Sequence, residues 1–128
     1  MVDYDYQALA NAALQARERA YAPYSGFRVG AALLVDDGRV FLGCNVENAA
    51  YPACCCAERV AVYKAVSEGV RSFVAIAVAS DSPAYTWPCG ECRQVLHEFA
   101  PGMAVLGVNR QGGYEAVKLD ELLPKAFG

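Results

Sequence analysis

The sequence predicts an α/β protein of three layers, α/β/α, in which helices cover both faces of a central mixed five-stranded sheet. Helix-like and strand-like segments follow one another in the order α-β-β-α-β-α-β-β-α, and this alternation is typical of helices packed on the faces of one sheet. Two of the helical segments also connect strands, and such strand–helix–strand crossovers make part of a sheet parallel.

The first third of the chain is predicted to form a helix and a β-hairpin. Residues 4–20 are rich in alanine, carry apolar residues at about every third or fourth position and have basic residues near the end, as a surface helix does. Pro23 and Gly26 mark a loop. Two strand-like runs follow within residues 28–47, on either side of an Asp-Gly pair that favours a hairpin turn.

The rest of the chain alternates helices with buried strands. Continuous apolar runs indicate central strands that are covered on both faces, and Gly69 and Pro88 mark the end of one helix and the start of the next. The predicted segments are a helix at 56–68, a strand at 73–79, a helix at 89–99, a strand at 103–108, an edge strand at 114–119 and a short helix at 119–123.

Composition and charge exclude several classes of protein. With 128 residues, the chain is expected to form a single domain over 1–128. Its net charge is −3 and it contains no run of Lys or Arg, so we expect no nucleic-acid partner. The N-terminal segment lacks the features of a signal peptide, and no apolar run reaches the roughly 18–20 residues of a membrane span. We therefore expect a cytoplasmic protein with no membrane partner and a small-molecule substrate.

Three of the six cysteines form a metal-binding pattern. In a reducing compartment, cysteines are more often metal ligands or catalytic groups than disulfides. Cys56, Cys89 and Cys92 belong to a C-x-E motif followed by P-C-x-x-C. Three thiolates hold a zinc ion and leave its fourth tetrahedral position open, as in catalytic sites. Glu58 is placed to move protons beside the metal without binding it, and this layout is the signature of zinc deaminases.

Both half-motifs fall at the starts of predicted helices, whose positive ends favour thiolates. Cys89 and Cys92, three residues apart, are expected on one helix face with Cβ atoms about 5–6 Å apart. Arg59 and Arg93 each follow a half-motif directly and are predicted to hydrogen-bond the sulfurs, which would offset the charge of three thiolates. Glu91 is expected to face solvent.

The same residues allow other interpretations. A P-C-x-x-C motif alone is also compatible with a redox dithiol, although here proline precedes the first cysteine. A structural zinc site would need a fourth ligand, and His97, Cys54 or Cys55 would have to supply it. We expect His97 to be solvated or to cap its helix. We expect Cys44, Cys54 and Cys55 to be small buried hydrophobic residues.

With these motifs in place, the chain resembles the small, homotetrameric, zinc-dependent cytidine deaminases over nearly its whole length. The resemblance implies hydrolytic deamination of cytidine and 2′-deoxycytidine to uridine and 2′-deoxyuridine, with release of ammonia, in pyrimidine salvage. It also implies one Zn²⁺ per subunit. The matching blocks are PYSGFRVGAAL (23–33), NVENAAYPACCCAERVAVYKAVSEG (45–69), PCGECRQVLHEF (88–99) and ELLPKAFG (121–128).

The resemblance also assigns roles to residues outside the metal motif. It implies that Asn45 and Glu47 hydrogen-bond the ribose hydroxyls of the nucleoside. It further implies that Phe27 packs on the base and that the Ala57 backbone N–H contacts the pyrimidine O2. For the three cysteines and Glu58 it implies the roles of zinc ligands and proton shuttle.

Two aromatic residues are implied to act across a subunit boundary. Tyr51 and Phe127 match family positions that help shape the pocket of a neighbouring subunit, so the active sites of the homotetramer would be shared between subunits. Four residues depart from the family pattern, and two of them, Cys54 and Cys55, replace residues that are usually not thiols. Trp87 stands where a small serine is typical, and Glu91 replaces a common alanine.

Three other functions are compatible with the zinc motifs. Blasticidin S deaminases share both zinc segments, and a nucleic-acid-editing deaminase would carry the same chemistry but is disfavoured by the acidic charge. A non-catalytic, zinc-stabilised binding module is the third. The N-V-E-N segment and the C-terminal block favour a cytidine deaminase.

Overall fold

The computed structural model describes residues 5–127 and has the predicted order of elements. The predicted first helix included residue 4 and the last matching block included residue 128; both lie outside the described residues. The elements are α1 Tyr6–Ala16, β1 Val29–Val35, β2 Val40–Cys44, α2 Ala57–Ser67, β3 Phe73–Ser80, α3 Gly90–Phe99, β4 Ala104–Val108, β5 Tyr114–Lys118 and α4 Leu119–Leu122, with 3₁₀ turns at Arg17–Arg19 and Tyr51–Ala53.

The first helix is shorter than predicted. Asp5 caps its start, since the Asp5 carboxylate accepts hydrogen bonds from the amides of Gln7 and Ala8. The α-helix ends at Ala16, and the chain tightens into the 3₁₀ turn Arg17–Arg19 before it enters the loop, as helix ends often do.

The five strands form one mixed sheet in the order β2-β1-β3-β4-β5. β3 and β4 are parallel neighbours joined through α3, whereas the other neighbouring pairs are antiparallel. β2 and β3 both pair with β1 in antiparallel fashion and therefore run in the same direction, joined through α2. The predicted mixed five-stranded sheet is confirmed, and β5 is at its edge.

Helices cover both faces of this sheet, which confirms the predicted three layers. On one face, α1 packs its buried Leu9, Ala10 and Ala13 against a cluster that includes Leu34 and Leu106. On the other face, α2 and α3 contribute residues to the larger cluster. The central β3 is buried at seven of its eight positions, which explains its continuous apolar sequence. No helix within residues 5–127 is long and apolar enough to cross a membrane.

Two strand glycines allow the close approaches that position the loops and helices at one end of the sheet. At Gly43 in β2, a Cβ atom would overlap the Ala57 carbonyl, so the start of α2 lies directly on the strand. At Gly107 in β4, a Cβ atom would lie 2.9 Å from the ring of Trp87, just before the second half-motif. Glycine inside a strand often marks such an approach.

Candidate metal centre

The three motif cysteines meet at the starts of two helices. Cys56 is the residue before α2, Cys89 is the residue before α3, and Cys92 lies in the first turn of α3. Their Sγ atoms all lie within 4.8 Å of one another. The Cys56 and Cys89 sulfurs are 3.8 Å apart, and those of Cys89 and Cys92 are 3.2 Å apart. The predicted convergence of the two half-motifs is confirmed.

The three thiols and the distance between the Cys56 and Cys89 sulfurs fit zinc, whereas the Cys89 and Cys92 sulfurs would have to move about 0.6 Å apart to bind it. Tetrahedral zinc with Zn–S bonds of about 2.3 Å places neighbouring sulfurs about 3.8 Å apart. Within the described residues, the one cluster of potential metal-ligand side chains consists of these three cysteines. It includes neither His97 nor Cys54 nor Cys55, so this part of the chain supplies no fourth protein ligand. A three-cysteine set with an open position is typical of a catalytic zinc site.

The pKa values of Cys56 and Cys92 are shifted in opposite directions. Hydrogen bonding from Cys92, supported by hydrogen bonds from Arg59 and Cys89, lowers the pKa of Cys56 to about 5. The pKa of Cys92 is raised, because its thiol hydrogen-bonds Cys56 and is buried. Ionisation is therefore easier at Cys56 than at Cys92. A metal ion that binds all three sulfurs has to displace the thiol protons that remain on them.

Glu58 is a buried acid directly beside the sulfurs. Its relative exposure is 4%. Burial raises the pKa of the Glu58 carboxyl and the negative charge of Cys56 adds to this, while the backbone amides of Glu58 and Cys89 and the Cys92 side chain lower it. A carboxyl with a raised pKa, close to a metal but outside its ligand set, is suited to accept and return a proton.

The two arginines behave differently from each other. The Arg59 Nη2 donates to Cys56 Sγ at 3.5 Å, as predicted. Arg93 corrects the prediction: its Nε donates to the Pro88 carbonyl at 2.7 Å and its Nη1 to the Leu122 carbonyl at 2.9 Å. Arg93 therefore connects α4, through Leu122, to the loop before Cys89, through Pro88, and does not hydrogen-bond a sulfur.

A cavity of about 490 Å³, within the range of small-molecule sites, is lined by Cys56 and Cys89, whereas Cys92 and the predicted proton shuttle Glu58 are not in its lining. Phe27 and Phe127, two of the predicted substrate-binding residues, are not in its lining; Ala57, whose N–H was predicted to contact the base, is fully buried at the start of α2. The lining consists of Asn45, Val46, Glu47, Tyr51, Pro52, Cys54, Cys55, Cys56, Arg59, Cys89, Gly90 and Glu91.

The residues predicted to bind ribose are held by the loop that precedes β1. Glu47 Oε1 accepts from the amides of Tyr24 and Ser25, and Glu47 Oε2 is 2.5 Å from the Ser25 hydroxyl. These hydrogen bonds, that of the hydroxyl first, lower the pKa of Glu47. Asn45 accepts from the Val29 amide and donates to the Phe27 carbonyl, both at 2.9 Å. One N–H of the Asn45 amide group remains for another acceptor.

The other three cysteines correct the sequence prediction. Cys44, Cys54 and Cys55 are half-buried, not fully buried. The Cys44 thiol donates to the Arg19 carbonyl at 3.4 Å. The Cys54 sulfur accepts from the Asn48 amide at 3.2 Å and so closes the loop 48–54. Hydrogen bonds with the backbone of Arg19 and Asn48 hold the sulfurs of Cys44 and Cys54 near the surface.

Some residues that shape the site were absent from the sequence prediction. Ser25 orients Glu47, and Gly43 sets the position of α2. A glycine inside a predicted strand was a usable signal for Gly43. For Ser25 the sequence carried no local signal, because its partner is 22 residues away.

Comparison with known proteins gives one consistent result. The family model for the cytidine and deoxycytidylate deaminase zinc-binding region matches residues 3–108. The cytidine deaminase of Sporosarcina psychrophila is 52% identical over 124 residues, which cover 96% of this chain and 91% of that protein. The cytidine deaminase of Halalkalibacterium halodurans is 53% identical over 125 residues, with 96% and 94% covered.

Solved structures agree with the sequence comparison. The crystal structure of cytidine deaminase from Burkholderia pseudomallei superimposes with a TM-score of 0.93 at 50% sequence identity. The superposition covers 97% of this chain and 100% of that one.

Proposed function

Because this chain belongs to the family of zinc-dependent cytidine and deoxycytidylate deaminases, we propose that it hydrolyses cytidine and 2′-deoxycytidine to uridine and 2′-deoxyuridine. The reaction releases ammonia and serves pyrimidine salvage. The observation that carries the proposal is the placement of buried Glu58 beside three convergent thiols, two of which, Cys56 and Cys89, line a cavity of about 490 Å³.

Cys56, Cys89 and Cys92 hold one zinc ion in this proposal. When bound, zinc supplies Lewis acidity and lowers the pKa of a coordinated water. Arg59, which donates to Cys56 Sγ, offsets part of the negative charge of the three thiolates.

Glu58 is the proton shuttle. Its carboxylate takes a proton from the attacking water and delivers it to the pyrimidine ring nitrogen. It then takes the proton of the hydroxyl formed at C4 and delivers it to the amino group, which leaves as ammonia. A base that must also act as an acid needs a pKa nearer neutrality than that of an ordinary carboxyl. Burial and the neighbouring thiolate act in this direction.

Asn45 and Glu47 bind the ribose hydroxyls. Both line the cavity. Hydrogen bonds from Ser25 and Tyr24 lower the pKa of the Glu47 carboxyl and so favour its ionised form. An anionic acceptor at this position favours a hydroxyl and repels a phosphorylated sugar, which supports a nucleoside over a nucleotide substrate. Phe27 packs on the base, and the Ala57 N–H, at the first position of α2 where helix amides lack helical partners, bonds the pyrimidine O2.

The active enzyme is a homotetramer that shares its active sites between subunits. Tyr51 and Phe127 are each 85% exposed in the single chain, which is unusual for large aromatic side chains with no function. Burial of both against a neighbouring subunit accounts for this exposure. Light scattering on a sizing column tests it: the mass of four chains is expected, and a monomer that turns over cytidine would refute shared sites.

The protein acts as one domain in the cytoplasm. All six cysteines are free thiols, which suits a reducing compartment. Fractionation of cells that produce the protein is expected to leave it with the cytosolic markers.

The function is tested by following the ultraviolet absorbance of cytidine with zinc-loaded protein. We expect loss of the cytidine band and release of ammonia. Glu58→Gln is expected to lower kcat by about 10²–10⁴-fold and to keep its zinc, because Glu58 is outside the ligand cluster. Glu98→Gln, an exposed carboxylate in the last turn of α3, is the matched control. Zinc-loaded protein that leaves cytidine unchanged would contradict the proposal and would favour another aminated nucleoside such as blasticidin S.

A further inference from the structure

An exposed carboxylate joins the two helices that carry the thiols. Glu91 lies between Cys89 and Cys92 in the first turn of α3, and its side chain is 77% exposed. Arg59, in the first turn of α2, is only 20% exposed. Glu91 Oε2 and Arg59 Nη1 are 3.2 Å apart. The C-x-x-C motif requires no particular residue at position 91, so this contact is a feature of the present chain.

The orientation of Arg59 depends on few contacts. Its Nη2 donates to Cys56 Sγ at 3.5 Å, and its Nη1 pairs with Glu91. Its Nε is buried and has no hydrogen-bond partner among the described residues. The Nε therefore contributes nothing to fixing the side chain and is itself unfavourable as an unpaired buried donor. The contacts of the two terminal nitrogens hold the guanidinium in place. Without Glu91, the main remaining contact is a sulfur, which is a weak acceptor.

We propose that Glu91 is a positioning residue of the metal centre, which holds the Arg59 guanidinium against the Cys56 sulfur and thereby slows the loss of zinc. The proposal rests on the zinc site of the proposed function. Three thiolates on Zn²⁺ carry a net charge of −1, and a guanidinium held at one sulfur stabilises this charge. Groups that hydrogen-bond a metal ligand commonly change metal affinity.

A direct action of the Glu91 charge on zinc is the competing explanation. A carboxylate near the site attracts Zn²⁺ whether or not an arginine lies between them. An action through Arg59 disappears when Arg59 is removed. The two explanations therefore differ in one double variant.

The test measures the rate at which zinc-loaded protein transfers its metal to an excess of a chromogenic chelator at low ionic strength. We expect zinc transfer to be about twofold to fivefold faster in Glu91→Gln than in wild type, which corresponds to the small free energy of an exposed ion pair. Glu98→Gln removes the same charge from the exposed far end of α3 and is expected to behave as wild type. Arg59→Gln is expected to lose zinc faster than wild type, and adding Glu91→Gln to it is expected to change nothing further.

The proposal is overturned if Glu91→Gln transfers zinc at the wild-type rate, or if Glu98→Gln accelerates the transfer as much as Glu91→Gln does. It is also overturned if Glu91→Gln accelerates the transfer by the same factor in the Arg59→Gln background as in wild type. A spectroscopic readout separates positioning from a general loss of stability. In Co²⁺-substituted protein, the thiolate-to-cobalt charge-transfer band is expected to shift in Glu91→Gln and Arg59→Gln but not in Glu98→Gln.

The zinc content of the wild-type protein is measured first. Wild-type protein without zinc would refute the proposed function and this inference together. Wild-type protein with one zinc per chain and a transfer rate insensitive to Glu91 would refute the inference alone.

Discussion

Replacing Gly43 with alanine is expected to damage the metal centre without altering any residue of it. An added Cβ would overlap the Ala57 carbonyl and lie 2.7 Å from the Ala61 nitrogen, whereas ordinary contact begins at 3.4 Å. Both are backbone atoms of α2, so no side-chain rotation relieves the overlap. Since protein interiors are close-packed, α2 has to retreat from β2 by at least about 0.7 Å.

This displacement exceeds the tolerance of a metal site. The Cys56 and Cys89 sulfurs lie 3.8 Å apart, and metal–ligand distances have to be met within about 0.2 Å. We expect zinc affinity to fall by at least about tenfold. Overpacking of this kind also destabilises by about 1–3 kcal/mol, which corresponds to a fall in Tm of roughly 4–12 °C for a chain of this size.

The assay is competition for zinc against a chelator of known affinity, combined with thermal unfolding followed through Trp87, the chain's one tryptophan. Gly102→Ala is the matched control, because a Cβ atom there meets nothing within 4 Å. If Gly43→Ala binds zinc with wild-type affinity, the close packing of α2 on β2 does not set the position of Cys56, and the reasoning is refuted.

Two further variants test contacts around the cavity. Ser25→Ala removes the hydroxyl that holds Glu47 and is expected to raise KM for cytidine by about threefold to tenfold with kcat nearly unchanged; an unchanged KM would contradict the ribose role of Glu47. Asp81→Asn removes one of the two carboxylate partners of Arg28, the other being Glu18. Hydrogen bonds from Arg28, with its charge, lower the pKa of Asp81 below 3.8, so this contribution to stability is present above that pH and is lost as the pH falls through the lower, folded-state pKa. The variant should unfold at a lower urea concentration than wild type at pH 7, with a difference that shrinks on acidification; a difference independent of pH would argue against the ion pair as its cause.

The sequence alone was sufficient to predict the fold because the fold depends mainly on local patterns. Periodicity, the Asp-Gly turn and the glycine after α2 are properties of short segments, and they gave the element order correctly. The ends of elements were less accurate. The first helix, for example, passes into a 3₁₀ turn at Arg17, whose side chain donates to the carbonyl of the distant Ser80, a contact that a local pattern does not reveal.

The site was predictable where spacing determines the chemistry and not where distant segments meet. Three cysteines with metal-ligand spacing indicated the cluster directly. The partners of Arg93, by contrast, depend on how α4 packs on α3, and the Arg59–Glu91 contact depends on the approach of α2 and α3. The half-buried Cys54 depends on a loop closed through its own sulfur. None of these contacts has a signal in a short stretch of sequence.

X-ray absorption spectroscopy of the zinc-loaded protein is the most direct test of the central claim, that three cysteines hold a zinc ion with one open position. We expect about one zinc per chain, with three sulfur neighbours at about 2.3 Å and one lighter neighbour. Four sulfur neighbours would instead indicate a closed structural site. Fewer than three would show that Cys56, Cys89 and Cys92 do not act together as ligands.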